Sequence, residues 1–81
     1  MKIEVLFWSY FKELTGEDKL TMELPEGARL KDLRDDLQNR FPGLRKMERS
    51  TLIAVGVEYQ PLDHLLVDGD EVSFFPPVQG G

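Results

Sequence analysis

One long segment with helical periodicity, set between segments that alternate like β-strands, is the feature of this sequence that most limits its fold. Its apolar residues recur at spacings of three and four: Leu30, Leu33, Leu37 and Phe41. This spacing predicts a helix with one apolar face, and the Pro-Gly pair at residues 42–43 ends it. Because that face has to be covered, the strands must form a sheet that packs against the helix.

Strands are predicted on both sides of this helix from apolar residues that alternate with a period of two or form a short apolar run. They cover residues 2–8, 19–24, 52–55, 57–59 and 71–75. In the first of them, Val5 and Phe7 are expected to face the core. Residues 52–55 are apolar on both faces, which favours a central strand.

Shorter features are expected between the strands. Residues 10–14 predict a short helical turn that Gly16 ends, and residues 63–66 predict a single 3₁₀ turn. The segment 44–51 is charged and irregular, so no regular element is expected there. The start of the long helix is weakly marked, because Arg29 stands where a capping side chain is expected.

The order of these elements predicts an α+β fold, in which a mixed sheet of four to five strands packs on one long helix. The chain has 81 residues, which is the size of one small domain. We therefore expect a single folded domain over residues 1–75, followed by an extended tail at residues 76–81.

Composition excludes several classes of site. The chain has no cysteine, which excludes a disulfide framework, a thiolate nucleophile and a cysteine-ligated metal, and no metal site is expected. A net charge of −5 argues against a nucleic acid or an anionic membrane as the partner. The first apolar stretch is too short for a signal peptide or a membrane span, so a cytoplasmic location is expected.

The tail at residues 76–81, Pro-Pro-Val-Gln-Gly-Gly, is the candidate functional segment. A carboxylate such as that of Gly81 is a poor acyl donor, but ATP can convert it to an acyl-adenylate that a sulfur or nitrogen nucleophile attacks. Glycine has no Cβ and fits a narrow slot, while Pro76 and Pro77 favour an extended start of the tail. The alternative is an ordinary chain end, with prolines that only terminate a strand.

Large aromatic side chains are expected on the sheet face that points away from the helix. If Phe7 faces the core, alternation turns the adjacent Trp8 to the opposite face, and Phe74 and Phe75 are related in the same way. Exposed aromatics of this kind resemble the anchors of protein interfaces. The predicted interface contains Leu6, Trp8, Tyr59 and Phe75. The alternative is a set of scattered surface residues without a partner.

Three segments carry a resemblance to a known family: Leu52-Ile53-Ala54-Val55, Asp68-Gly69-Asp70-Glu71-Val72, and the ending Phe74-Phe75-Pro76-Pro77-Val78-Gln79-Gly80-Gly81. With them, the chain resembles the small, sulfur-carrying subunit of molybdopterin synthase, which is one of the ubiquitin-like β-grasp sulfur carriers. The resemblance covers the whole chain, and the ending is its most specific part. It implies a ubiquitin-like β-grasp fold.

The resemblance also implies a reaction cycle. An E1-like adenylyltransferase would activate Gly81 with ATP, and a persulfide donor would convert it to a thiocarboxylate. The tail, Pro76, Pro77, Val78, Gln79 and Gly80, would then insert into a large catalytic subunit, usually within a heterotetramer. There the sulfur would pass to cyclic pyranopterin monophosphate during molybdenum cofactor biosynthesis. The chain is thus expected to be a subunit of a heteromeric sulfurtransferase that is not catalytic alone, binds no cofactor tightly, and carries the thiocarboxylate as a covalent modification.

Three positions depart from the family pattern. Gly56 stands where Asn is usual after the strand at residues 52–55, and Arg29 stands near a usual Thr at the helix start. Lys12 occupies a position that is often Arg, and the family implies that this residue contacts the partner. His64 matches the family and is expected to be a turn residue rather than a catalytic base.

Other functions stay open on the sequence alone. The chain could be a ubiquitin-like modifier whose Gly81 forms isopeptide bonds with lysines, or a sulfur carrier for thiamin or cysteine biosynthesis. It could also be a plain interaction module with an inert tail. These functions differ in what becomes attached to Gly81.

Overall fold

The computed structural model describes residues 1–77. Its elements in chain order are β1 (Lys2–Phe7), α1 (Tyr10–Thr15), β2 (Lys19–Glu23), α2 (Leu30–Arg40), α3 (Gly43–Lys46), a 3₁₀ helix (Glu48–Ser50), β3 (Leu52–Val55), β4 (Glu58–Tyr59) and β5 (Glu71–Phe75). Among the described residues, none of the helices is long and apolar enough to cross a membrane.

The five strands form one mixed sheet in the order β2-β1-β5-β3-β4. Strands β1 and β5 run parallel, and the other neighbouring pairs run antiparallel. The predicted α+β architecture with a mixed sheet is therefore confirmed. Strand β3 lies inside the sheet between β5 and β4, which confirms the expected interior position, and β5 is the middle strand of the five.

The core lies between the sheet and helix α2, as the apolar periodicities predict. It includes Ile3, Val5, Phe7, Phe11, Met22, Leu30, Leu33, Leu37, Leu44, Val72 and Phe74. The ring of Phe7 lies 5.8 Å from that of Phe74 and meets Phe41 edge-on at 6.1 Å, measured between centroids. These aromatic contacts join both central strands to the end of the long helix.

Helix α2 begins without a capping side chain from Arg29, but its first turn is supported in two other ways. The carboxylate of Asp32 accepts a hydrogen bond from the Arg29 N–H at 2.8 Å. The N–H groups of Leu30 and Lys31 donate to carbonyls of the loop at residues 62–64, at 2.9 and 2.8 Å. The free N–H groups that a helix leaves at its start are thus satisfied by a neighbouring loop, which a local sequence pattern does not show.

Two expectations about the connecting segments were wrong. Residues 44–51, expected to be irregular, contain most of α3 and the 3₁₀ helix, because Leu44 is buried and Met47 packs against the core. The 3₁₀ turn expected at residues 63–66 does not form. The turn lies earlier instead, where the His64 N–H donates to the Pro61 carbonyl at 3.0 Å, and Leu65 then forms an isolated bridge with Arg29 at the start of α2.

Replacing Ser9 by glycine is expected to stabilise the domain. Ser9 joins β1 to α1 with φ 55° and ψ −128°, and in residues 1–77 it is the one residue other than glycine with a positive φ. A glycine removes the strain of a Cβ in this conformation, so we expect the free energy of unfolding to rise by about 1 kcal/mol. Urea denaturation measures the change. Ser50→Gly is the matched control and should destabilise slightly; equal effects at both positions would contradict the strain at Ser9.

Candidate functional site

The tail leaves the body from the end of the central strand. Strand β5 ends at Phe75, which lies opposite Leu52 of β3, and the carbonyl of Phe74 accepts a hydrogen bond from the Trp8 N–H at 3.0 Å. The half-buried residues Pro76 and Pro77 follow at once, and proline cannot donate the next hydrogen bond of a ladder. The exit point is therefore fixed between the ends of β1 and β3.

Four of the predicted tail residues lie outside the described residues: Val78, Gln79, Gly80 and Gly81. Their predicted role stays a prediction.

A depression lies on the sheet face that points away from α2, which we call the outer face. It encloses about 500 Å³ and is lined by Trp8, Ala54, Gly56, Val57, Tyr59, Ser73 and Phe75. The rings of Tyr59 and Phe75 lie 5.7 Å apart, between centroids. Ala54 and Ser73 pair across β3 and β5, and their small side chains leave room between the aromatic rings. The result is a concave apolar surface beside the point where the tail begins.

The structure brings together three of the five residues predicted to contact a partner. Trp8, Tyr59 and Phe75 line the depression, and Trp8 and Tyr59 are 49% and 63% exposed. Leu6 lies beside them, since its register partner in β5 is the lining residue Ser73. Lys12 does not line the depression; it lies on α1, where its ammonium is 3.7 Å from the Asp18 carboxylate. Whether these residues bind a partner stays a prediction.

Sequence reasoning missed four residues of the depression: Ala54, Gly56, Val57 and Ser73. The alternation that placed Phe74 in the core also predicts that Ser73 lies on the outer face. The position of Ala54 beside Ser73 depends on the pairing of β3 with β5, which the alternation does not show. Gly56 has φ +64° in the turn that joins β3 to β4, and Val57 is almost fully exposed at that turn. The departure from the family pattern at Gly56 therefore lies at the rim of the depression.

The far end of the outer face is polar. Glu4 accepts a hydrogen bond from the Thr21 hydroxyl at 2.9 Å and lies 3.7 Å from the Lys19 ammonium. The outer face thus divides into an apolar half near the tail and a charged half away from it. An apolar half that leads to the chain exit is suited to docking rather than to holding a small charged substrate.

Among residues 1–77 there is no group of three or more histidine or carboxylate side chains that could hold a metal ion. His64 lies in a turn, where its N–H donates to the Pro61 carbonyl and its own carbonyl accepts from Leu30, as expected for a structural residue. What the described geometry can do is present the start of the tail next to an apolar docking surface.

Comparison with known proteins identifies relatives along the whole chain. A family model described as "ThiS family" matches residues 5–81. The molybdopterin synthase sulfur carrier subunit of Chlamydomonas reinhardtii is 36% identical over 83 residues, covering 100% of both chains.

Two solved structures have the same fold at appreciable identity. A Pyrococcus furiosus chain described as molybdopterin converting factor subunit 1 is 35% identical, with a TM-score of 0.89 over 95% of this chain and 98% of that one. A chain in the complex of subunits 1 and 2 of the Helicobacter pylori molybdopterin-converting factor is 32% identical, with a TM-score of 0.74 and full coverage of both chains. The predicted ubiquitin-like β-grasp fold is confirmed.

Proposed function

The chain belongs to the ThiS family, together with the sulfur carrier subunits of molybdopterin synthase, and from this premise we propose that it carries sulfur as a thiocarboxylate on Gly81. It gives that sulfur to cyclic pyranopterin monophosphate in molybdenum cofactor biosynthesis. The chain is then one subunit of a heteromeric sulfurtransferase, whose catalytic side chains come from the large subunit. It needs no tightly bound cofactor of its own.

The proposed chemistry activates the carboxylate first. An oxygen of the Gly81 carboxylate attacks the α-phosphorus of ATP on an E1-like adenylyltransferase, and pyrophosphate leaves. A persulfide sulfur of the donor then attacks the acyl-adenylate, and AMP leaves. Attack of a second thiol on the resulting acyl disulfide forms a new disulfide and releases the thiocarboxylate. The chain contains no cysteine, so every thiol in these steps belongs to a partner.

The observation that carries the proposal is the position of the tail exit. Strand β5 brings the start of the tail, at Pro76, next to an aromatic depression, which supports a partner that docks on the outer face as the acceptor of the tail. The Helicobacter pylori relative is described in a complex of subunits 1 and 2, which supports a large subunit as the docked partner. Aromatic side chains around a hollow are the usual anchors of such interfaces.

The test is to load the chain and then transfer its sulfur. The purified chain is incubated with a cognate E1-like enzyme, ATP and a persulfide donor, and its intact mass is measured. We expect the mass to rise by one oxygen-to-sulfur exchange. The loaded chain is then mixed with the large synthase subunit and cyclic pyranopterin monophosphate, and dithiolene formation is assayed. An unchanged mass would contradict the proposal.

Trp8→Glu is expected to weaken docking of the large subunit. The substitution places a charge in the apolar half of the outer face, and loss of an aromatic anchor typically costs about 2 kcal/mol or more, so affinity should fall at least roughly thirtyfold. Isothermal titration with the large subunit measures it. Val67→Glu is the control, since Val67 is exposed but lies outside the depression. Equal losses for both variants would argue against docking at the outer face.

A further inference from the structure

We propose that this domain has a second docking surface on its helix side, which binds an acidic segment of a partner protein and takes one apolar side chain of that segment into a pocket. The surface contains the C-terminal part of α2, α3, the 3₁₀ helix and the loop after β4. It does not depend on chemistry at Gly81, and it goes beyond the proposed sulfur transfer.

A pocket of about 290 Å³ opens on this side. Its apolar walls include Leu44, Ile53, Pro61, Leu62 and Phe74. Pockets for small molecules and cofactors usually run from about 300 to 1,000 Å³, so this one lies at the lower limit of that range. A pocket of this size and lining suits a single bulky side chain, such as an aromatic ring or a leucine, better than a cofactor.

The polar wall of the pocket is held by a network of side chains. Gln38 is 6% exposed and donates from its Nε2 to the Glu48 carboxylate at 3.0 Å. The guanidinium of Arg34 lies 3.1 Å from the same carboxylate and 3.1 Å from that of Asp35. The network holds the α2 side of the pocket against the 3₁₀ helix, so the pocket exists before a ligand arrives. It also neutralises Glu48, the one carboxylate among the lining residues.

Four exposed cations lie in the segment at residues 40–49, which also contains the lining residues Leu44 and Glu48: Arg40, Arg45, Lys46 and Arg49. We call them the basic segment. Arg45 and Arg49 directly follow the lining residues Leu44 and Glu48. In the described part of the chain, none of the four takes part in a salt bridge. Arg45 donates to the Asn39 amide oxygen at 3.0 Å, which leaves its charge uncompensated. Positive charge beside an apolar pocket is complementary to a segment that carries acidic residues on both sides of an apolar one.

The same charges do not suit a polyphosphate. Helix α2 also presents Asp32, Asp35 and Asp36 at exposed positions, and the whole chain has a net charge of −5. A nucleic acid or an anionic membrane needs a broad basic surface, whereas a short peptide needs only a few cations around its anchor. A polyphosphate has no apolar group to place in the pocket, whereas a peptide can place an apolar side chain there.

The probe for the test is a fluorescein-labelled peptide of sequence EDDEWLEDDE. Two matched peptides separate its features: EDDEGSEDDE keeps the charge without the apolar pair, and QNNQWLQNNQ keeps the pair without the charge. Fluorescence polarisation gives the affinities, and ¹⁵N–¹H chemical shifts of the full chain locate the contact. We expect the first peptide to bind roughly tenfold more tightly than either control, with shifts around Leu44 and Leu62. Its binding should weaken as salt is raised.

Substitutions test the apolar pocket and the basic segment separately. Leu62→Glu places a carboxylate in the pocket wall, and Leu65→Glu is its control at an exposed site outside the lining. The double variant Arg45→Glu/Arg49→Glu reverses two charges of the basic segment, and Lys2→Glu/Lys19→Glu makes the same change of net charge elsewhere. We expect each test variant to weaken peptide binding roughly tenfold and each control to change it less than about threefold. Circular dichroism shows whether each variant is folded.

Three results with the unmodified chain would overturn the proposal. The first is equal affinity for all three peptides, and the second is chemical-shift changes confined to the outer face. The third is tighter binding of a single-stranded oligonucleotide than of the acidic peptide. A stable dimer in light scattering that the peptide cannot displace would show that a second copy of the chain occupies the surface. Thiocarboxylate formation at Gly81 is measured on the same variants and is expected to be normal, so failure here and failure of the proposed function are distinguishable.

Discussion

Deletion of Gly81 is expected to abolish sulfur transfer and to leave the fold unchanged. The loss of one residue draws the terminal carboxylate back by about 3.5 Å. Misplacement of a reacting group by about 1 Å can already cost roughly a hundredfold in rate, so a shift of a whole residue should leave neither adenylation nor transfer measurable. Intact mass after incubation with the E1-like enzyme, ATP and the donor measures loading, and dithiolene formation with the large subunit measures transfer.

A chain lengthened by one glycine after Gly81 should fail for the same geometric reason, although its charge and composition hardly change. Glu23→Gln is the control, because Glu23 is exposed on strand β2, which is separated from β5 by β1. Unfolding curves of all variants should superimpose. Normal thiocarboxylate formation on the shortened chain would contradict the assignment of the reacting group to Gly81.

Phe7→Ala is expected to remove a large part of the stability of the domain. Phe7 is 1% exposed and its ring contacts those of Phe41 and Phe74, so truncation opens a cavity where β1, β5 and α2 meet. Such truncations cost about 3–5 kcal/mol. A domain of this length has a free energy of unfolding of roughly 5–10 kcal/mol. Urea denaturation followed by the fluorescence of Trp8 measures the loss.

Phe7→Leu serves as the comparison, because it retains an apolar side chain and should cost less than the alanine variant by at least about 1 kcal/mol. If alanine and leucine at this position destabilise equally, the aromatic contacts with Phe41 and Phe74 do not hold the core together as described.

The elements that could be predicted from the sequence are those whose periodicity is carried by their own residues. Helix α2 shows three fully buried leucines at helical spacing, and β1 alternates cleanly between buried and more exposed positions. Helix α3 and the 3₁₀ helix were missed because they are too short to show a period. Only Leu44 is buried there, with Met47 packed against the core, and two apolar contacts among charged residues do not mark an element.

The position of each strand in the sheet depends on contacts far apart in sequence. Strand β5 is central because it lies parallel to β1, and nothing within residues 71–75 specifies that partner. The first turn of α2 depends in the same way on the loop at residues 62–64. Such pairings are selected by the packing of the whole domain, so a local pattern predicts the strand or helix without its neighbours.

The candidate site, like the fold, could be predicted only where the pattern lies within a single strand. Alternation placed Trp8 and Phe75 on the outer face, and the structure shows them around one depression. The hollow itself comes from the small residues Ala54 and Ser73, whose pairing needed the register of β3 with β5. The helix-side pocket gave no signal in the sequence, because its walls come from α2, α3, β3, β5 and the loop after β4.

The central place of β5 also has a mechanical consequence. A partner that draws the tail into its interior pulls on β5 along its own axis, at the end marked by Pro76. Strand β5 is hydrogen-bonded to β1 on one side and to β3 on the other. A force along β5 therefore loads both sets of hydrogen bonds in shear, and it does not peel an edge strand away from the sheet. We expect the domain to stay folded while its tail is under tension, as the proposed insertion of the tail into a partner requires.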